Sequence, residues 1–155
     1  MQTLESILAK QPFFDGLNER FVAIIAGCAS NAIYNDGEHL FREGEEATQF
    51  FIIRHGRVAI ETSTPGNGAM IIETHTEGDV VGWSWLFSPY QWHFDGRAVG
   101  LTRVTALDGT CLRGKCEEDP VLGYEFMKRF SNKMMQSLDL ARFQLLDIYG
   151  TRVEK

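Results

Sequence analysis

From Ala32 to about Arg113 the chain is cut into short β-like runs by glycine. Gly37, Gly44, Gly56, Gly66, Gly68, Gly78 and Gly109 separate stretches such as "QFFIIRHG", "RVAIET", "AMIIETH", "DVVGW", "RVTAL" and "TCLRG". Runs this short, rich in β-branched and aromatic residues, suit strands rather than helices. Many such strands with glycine between them mean an antiparallel sandwich or barrel. "TPGNG" (Thr64 to Gly68) reads as a hairpin turn between two of them.

Helical periodicity appears on both flanks. Leu4, Ile7 and Leu8 recur at helical spacing behind Thr3 as a cap, and Pro12 stops that helix. Asn18 can cap a second helix whose stripe is Phe21, Ile24, Ile25 and Cys28. After Glu117 a long helix is expected. Pro120 suits its first turn, and Glu117, Glu118 and Asp119 suit its positive end. Met127, Met134, Ala141 and Ile148 recur every seven residues, with Phe130, Leu138 and Leu145 beside them. That seam either packs on its own domain or is shared with a second copy. Its length favours a homodimer through Glu125 to Tyr149. The expected fold is mainly β with flanking helices: an antiparallel β-roll or jelly-roll sandwich, with short N-terminal helices and a long C-terminal helix. The boundaries are helices at 3–29, a roll at 31–115 and the long helix at 118–149, all in one domain over 1–155.

The 155 residues carry a net charge of −6 and no basic run, which argues against a nucleic-acid coat. The cysteines, Cys28, Cys111 and Cys116, are odd in number and widely spaced. They read as thiols rather than a disulfide framework, and so as a cytoplasmic protein. No run approaches the ~18 apolar residues of a membrane span, and "MQTLESILAKQ" lacks the apolar core of a signal peptide. No arrangement of serine, histidine and aspartate supports catalysis, so no catalytic residues are assigned. His93-Phe94-Asp95 would need a third metal ligand from His39, His55 or His75, all upstream, and Cys111 with Cys116 is too sparse for zinc. No metal site is assigned.

"GEHLFREGEEATQFFIIRHGRVAIET" (Gly37 to Thr62) resembles the opening of a cyclic nucleotide-binding domain, and "GDVVGWSWL" (Gly78 to Leu86) stands where that family has its phosphate-binding cassette. "LLDIYG" (Leu145 to Gly150) is similar to the end of the dimerising helix in catabolite-activator (CRP/FNR) regulators. The resemblance implies ligand sensing, signal transduction and transcription regulation. It also implies ligand-binding residues at Gly82, Trp83, Ser84, Arg97 and Ala98, with Gln136 and Ser137 on the long helix near the base. Chemically, helix-end N–H groups and a forked guanidinium suit a cyclic phosphate. The family's ribose-binding glutamate is replaced by Trp83, however. Losing one hydrogen bond to a charged group weakens binding by roughly 10- to 100-fold.

The expected ligand is therefore a cyclic nucleotide or another small anion, bound by an altered cassette. Trp83 plugs the pocket, stacks on a flat ligand or points outward. Trp85 and Trp92 are expected as core or lid packing. Arg97 either binds an anion or pairs with an acid, of which Asp95 is the nearest. The alternative function is a ligand-free roll serving dimerisation or docking to a partner protein. Only "TRVEK" (Thr151 to Lys155) follows Gly150, too little for the family's helix-turn-helix. No specific DNA binding by this chain is expected.

Overall fold

A computed structural model describes residues 3–153 except Asn67, with side chains described as far as Gly150. Met1, Gln2, Glu154 and Lys155, at the ends of the stretches read above as a non-signal start and a short tail, lie outside the described residues. Helices α1 (Leu4–Ala9) and α2 (Glu19–Ala26) open the chain, with a 3-10 turn at Pro12–Phe14 between them. Their caps are those expected. The Thr3 side chain accepts from the Ser6 amide, and Asn18 accepts from the Arg20 amide at 2.8 Å.

Six strands follow: β1 (Ala29–Tyr34), β2 (His39–Phe41), β3 (Gln49–Thr64), β4 (Gly68–His75), β5 (Val80–Val81) and β6 (Asp95–Asp108). Every pairing is antiparallel, in the order β1-β6-β3-β4, with β2 also on β6 and β5 also on β3. The turn between β3 and β4 is closed by Thr64 opposite Gly68, with Asn67 of that turn outside the described residues.

"QFFIIRHG" and "RVAIET", expected as two strands, form the single strand β3. Gly56 lets it continue through a bend. Its φ is +100° and an added Cβ would lie 2.6 Å from the Leu101 carbonyl oxygen, so only glycine fits there. "TCLRG" is the larger correction. It is not a strand but part of helix α3 (Gly109–Glu118), capped by Asp108, whose carboxylate accepts from the Cys111 amide at 3.0 Å. The strands therefore end at Asp108, short of the expected 115. The last helix, α4, runs Pro120–Val153 and passes through Gly150.

The cysteine reading is also corrected. Cys28, just after α2, and Cys111, in α3, form a disulfide, which ties the N-terminal helices to the helix beyond the roll. Cys116 is the free thiol, and burial pushes its pKa up to about 11.

An aromatic cluster joins the roll to α4. Trp85 stacks on Phe50 at 5.0 Å and meets Phe126 and Phe130 edge-on at 5.9 and 5.5 Å. Leu122, Phe126 and Phe130 are all buried, at helical spacing along α4. Each such side chain contributes about 1.5–3 kcal/mol. Arg129, one residue before Phe130, donates to the Phe13 and Asp15 carbonyls at 2.8 Å each and pairs with Glu125. The first three turns of α4 are thereby fixed to the domain. Further on, Phe143, Leu146, Ile148 and Tyr149 are exposed.

Candidate functional site

The segment between β5 and β6 begins at Gly82, with φ +97°. No side chain fits there, because an added Cβ would lie 2.6 Å from the ring of Trp92. Trp92 stacks on Phe41 at 3.8 Å between centroids and 14° between planes. Phe41 in turn rests on Gly96, where a Cβ would lie 2.5 Å from its ring. Two glycines and two aromatic rings thus make one closed layer. Gly82, Phe41 and Trp92 of this layer also line a cavity between the roll and α4.

Arg97 stands elsewhere. Paired residues on neighbouring strands point to one face, and successive residues alternate. Gly96 pairs with Ile60, while Arg97 pairs with Ala59 and Asp95 with Glu61. Arg97 and Glu61 therefore share the face opposite to Ile60. There the guanidinium grips the Glu61 carboxylate at 2.7 and 3.2 Å, a forked pair. This hydrogen-bonded pairing raises the pKa of Arg97. The acid is Glu61, not the adjacent Asp95, which instead accepts from the Glu43 amide at 2.7 Å.

Beside the closed layer, a cavity of about 550 Å³ lies between the roll and α4. The roll supplies Ile60, Ile72, Val80, Trp83 and Phe94, and α4 supplies Met134, Met135, Leu138 and Ala141. Its polar end is Glu73 and His75 from β4 with Ser137 from α4. The His75 ring Nε2 lies 3.1 Å from Glu73, and its Nδ1 lies 3.5 Å from Asp79. The hydrogen bond from His75, with help from the Ser137 hydroxyl, holds the Glu73 carboxyl below its ordinary pKa against the effect of burial. A smaller recess of about 180 Å³ adjoins this end, lined by Glu73, His75, Trp83, Lys133, Gln136 and Ser137 among others.

Of the residues expected to bind ligand, Gly82, Trp83, Ser84 and Ser137 line the cavity and Gln136 lines the recess. Trp83 is half-buried and forms a wall shared by both. Arg97 and Ala98 line neither. Ala98 is buried opposite Val58. Trp85 is fully buried and Trp92 nearly so, as core. His93 lines the cavity, and among the described residues no group of His, Cys, Asp or Glu is placed to hold a metal ion. Glu73 escaped sequence reasoning, and His75 was weighed there only as a metal ligand. The available signal was Glu-x-His on a strand, which puts both side chains on one face, followed by Asp79 across a turn.

Comparison with known proteins gives a consistent picture. A Rhodopseudomonas palustris protein named as a potassium channel is 26% identical over 147 residues, covering 94% of this chain and 34% of that protein. The chain thus spans about a third of that relative's length. The CRP-like cAMP-activated global transcriptional regulator of Mycobacterium tuberculosis is 22% identical over 153 residues, covering 98% of this chain and 68% of the regulator. A solved Geobacter metallireducens protein named for cyclic nucleotide binding superposes with a TM-score of 0.79 at 24% identity, over 89% of this chain and 99% of the other. The family pattern described as "Cyclic nucleotide-binding domain" matches residues 33–119, more than half of the chain. On that match, with the roll and its terminal helices already in place, the chain belongs to the cyclic nucleotide-binding domain family, whose members are regulatory rather than catalytic domains.

Proposed function

We propose that the chain, over 1–155, is one ligand-sensing regulatory domain whose ligand sits between the roll and α4 and whose signal leaves along α4. One observation carries this reading. The cavity has walls on both parts, with Trp83 and Ile60 on one side and Met134, Ser137 and Leu138 on the other. A molecule that fills it changes the packing of the helix against the roll, which is the differential contact that a switch requires.

Cyclic AMP, which activates the Mycobacterium tuberculosis relative by name, fits this chain poorly. Trp92 covers Gly82, and Arg97 is committed to Glu61. Moving Arg97 to an anion would leave Glu61, 5% exposed, as an unpaired buried charge. The exposed apolar residues of α4 from Phe143 to Tyr149 support a homodimer as the structure that receives the signal.

A thermal-shift screen of small molecules, followed by amide exchange, tests the reading. A stabilising hit should slow exchange in α4 from Met134 to Tyr149. A hit that raises the melting temperature and leaves that segment unchanged contradicts signalling through α4.

A further inference from the structure

Which chemistry the cavity accepts follows from its charges, and this inference rests on reading it as a ligand site. Among the described lining residues there is no lysine or arginine. The polar end carries Glu73, with Asp79 behind His75 at 3.5 Å. One imidazole stands between two carboxylates, so even a protonated His75 offsets only one of them. Lys133 opposes them from the recess and not from the cavity, and His93 lies on the exposed rim. An anion entering here loses water and meets negative charge. A cation entering the cavity finds one carboxylate, Glu73, and an indole, Trp83, which lines both spaces that Glu73 lines. A carboxylate beside an aromatic ring is the pair that recognises ammonium groups. The remaining wall is apolar, and about 550 Å³ lies within the range of small-molecule sites.

We propose that the cavity binds an apolar amine, with its ammonium at Glu73 beside Trp83 and its body among Ile60, Ile72, Phe94 and Leu138. The two methionines on α4, Met134 and Met135, give that wall an adaptable surface for bodies of different shape. The site is thus the reverse of a phosphate cassette in charge, although it occupies the same fold.

Calorimetry on the full chain with phenylbutylamine, phenylbutanol and phenylbutyrate tests this. The three share one body and carry a cationic, a neutral and an anionic head. The amine should bind roughly tenfold or more tighter than the alcohol, and the acid least. Glu73→Gln should erase the amine's advantage while sparing the alcohol. If that variant fails to fold, Trp83→Leu should shrink the same advantage several-fold. Equal binding of amine and alcohol, a preference for the acid, or no binding by any of the three at millimolar concentration overturns the assignment. Amide exchange in α4 is measured in parallel. Amine preference with an unchanged α4 defeats the signalling proposal alone. An α4 response to the acid but not the amine defeats the amine assignment alone.

Discussion

Gly82 and Trp92 decide what this roll can hold. Because the Trp92 ring fills the space of a Cβ at Gly82, and φ there is positive, Gly82→Ala should destabilise the domain by at least about 1–3 kcal/mol. Trp92→Ala should cost about 3–5 kcal/mol and leave a void beside Gly82. Denaturant unfolding checks both, and a Gly82→Ala protein as stable as the wild type contradicts the packing described. Glu73 gives a pH signature. Its pKa is lowered in the folded state from an ordinary value of 4.5, chiefly by His75. Its contribution is therefore complete above the ordinary value and is lost as pH falls through the lowered one. Stability measured across that acid range should fall less steeply in Glu73→Gln than in the wild type. Of these contacts only the Glu73–His75 pair had a local signal, Glu-x-His on a strand. The Trp92–Gly82 and Arg97–Glu61 contacts depend on chain folding and strand register across 10 and 36 residues, where no local propensity reports.

At the level of elements, local chemistry was legible and long-range pairing was not. Thr3 and Asn18 cap the helices they precede, and Pro120 opens α4, because caps act within one turn. Helix α3 was missed because Thr110, Cys111 and Leu112 have strand-like composition, while its signal is a single residue, Asp108. The disulfide was missed because 83 residues separate Cys28 from Cys111. Closing a loop that long should stabilise the fold by roughly 2–5 kcal/mol. Cys28→Ser should lower unfolding stability by that amount in oxidising buffer and by little in reducing buffer. An equal loss in both buffers contradicts the crosslink. On α4, the seven-residue seam was visible but its division was not. Phe126 and Phe130 serve this domain's core and Met134 and Leu138 line the cavity, while Met127, Leu145 and Ile148 of the seam are exposed.

Over the whole molecule, the chain has the family's roll and a long C-terminal helix, and Trp92 packs over Gly82 between them. The proposed dimer predicts a mass of two chains by light scattering at tens of micromolar, a concentration on the order that weak association needs. Phe143→Glu with Leu146→Glu should reduce it to one chain, and a wild-type monomer at that concentration contradicts the dimer. The glycine framework and flanking helices made the fold readable, since turns and periodicity are local. The site's charge was not readable, since it depends on which face of β6 carries Arg97. The measurement that bears most directly on the account is calorimetric titration of the wild-type chain with cyclic AMP. With Gly82 covered by Trp92 and Arg97 held by Glu61, the account predicts no saturable binding at micromolar concentrations. Submicromolar binding that disappears in Arg97→Ala would contradict it.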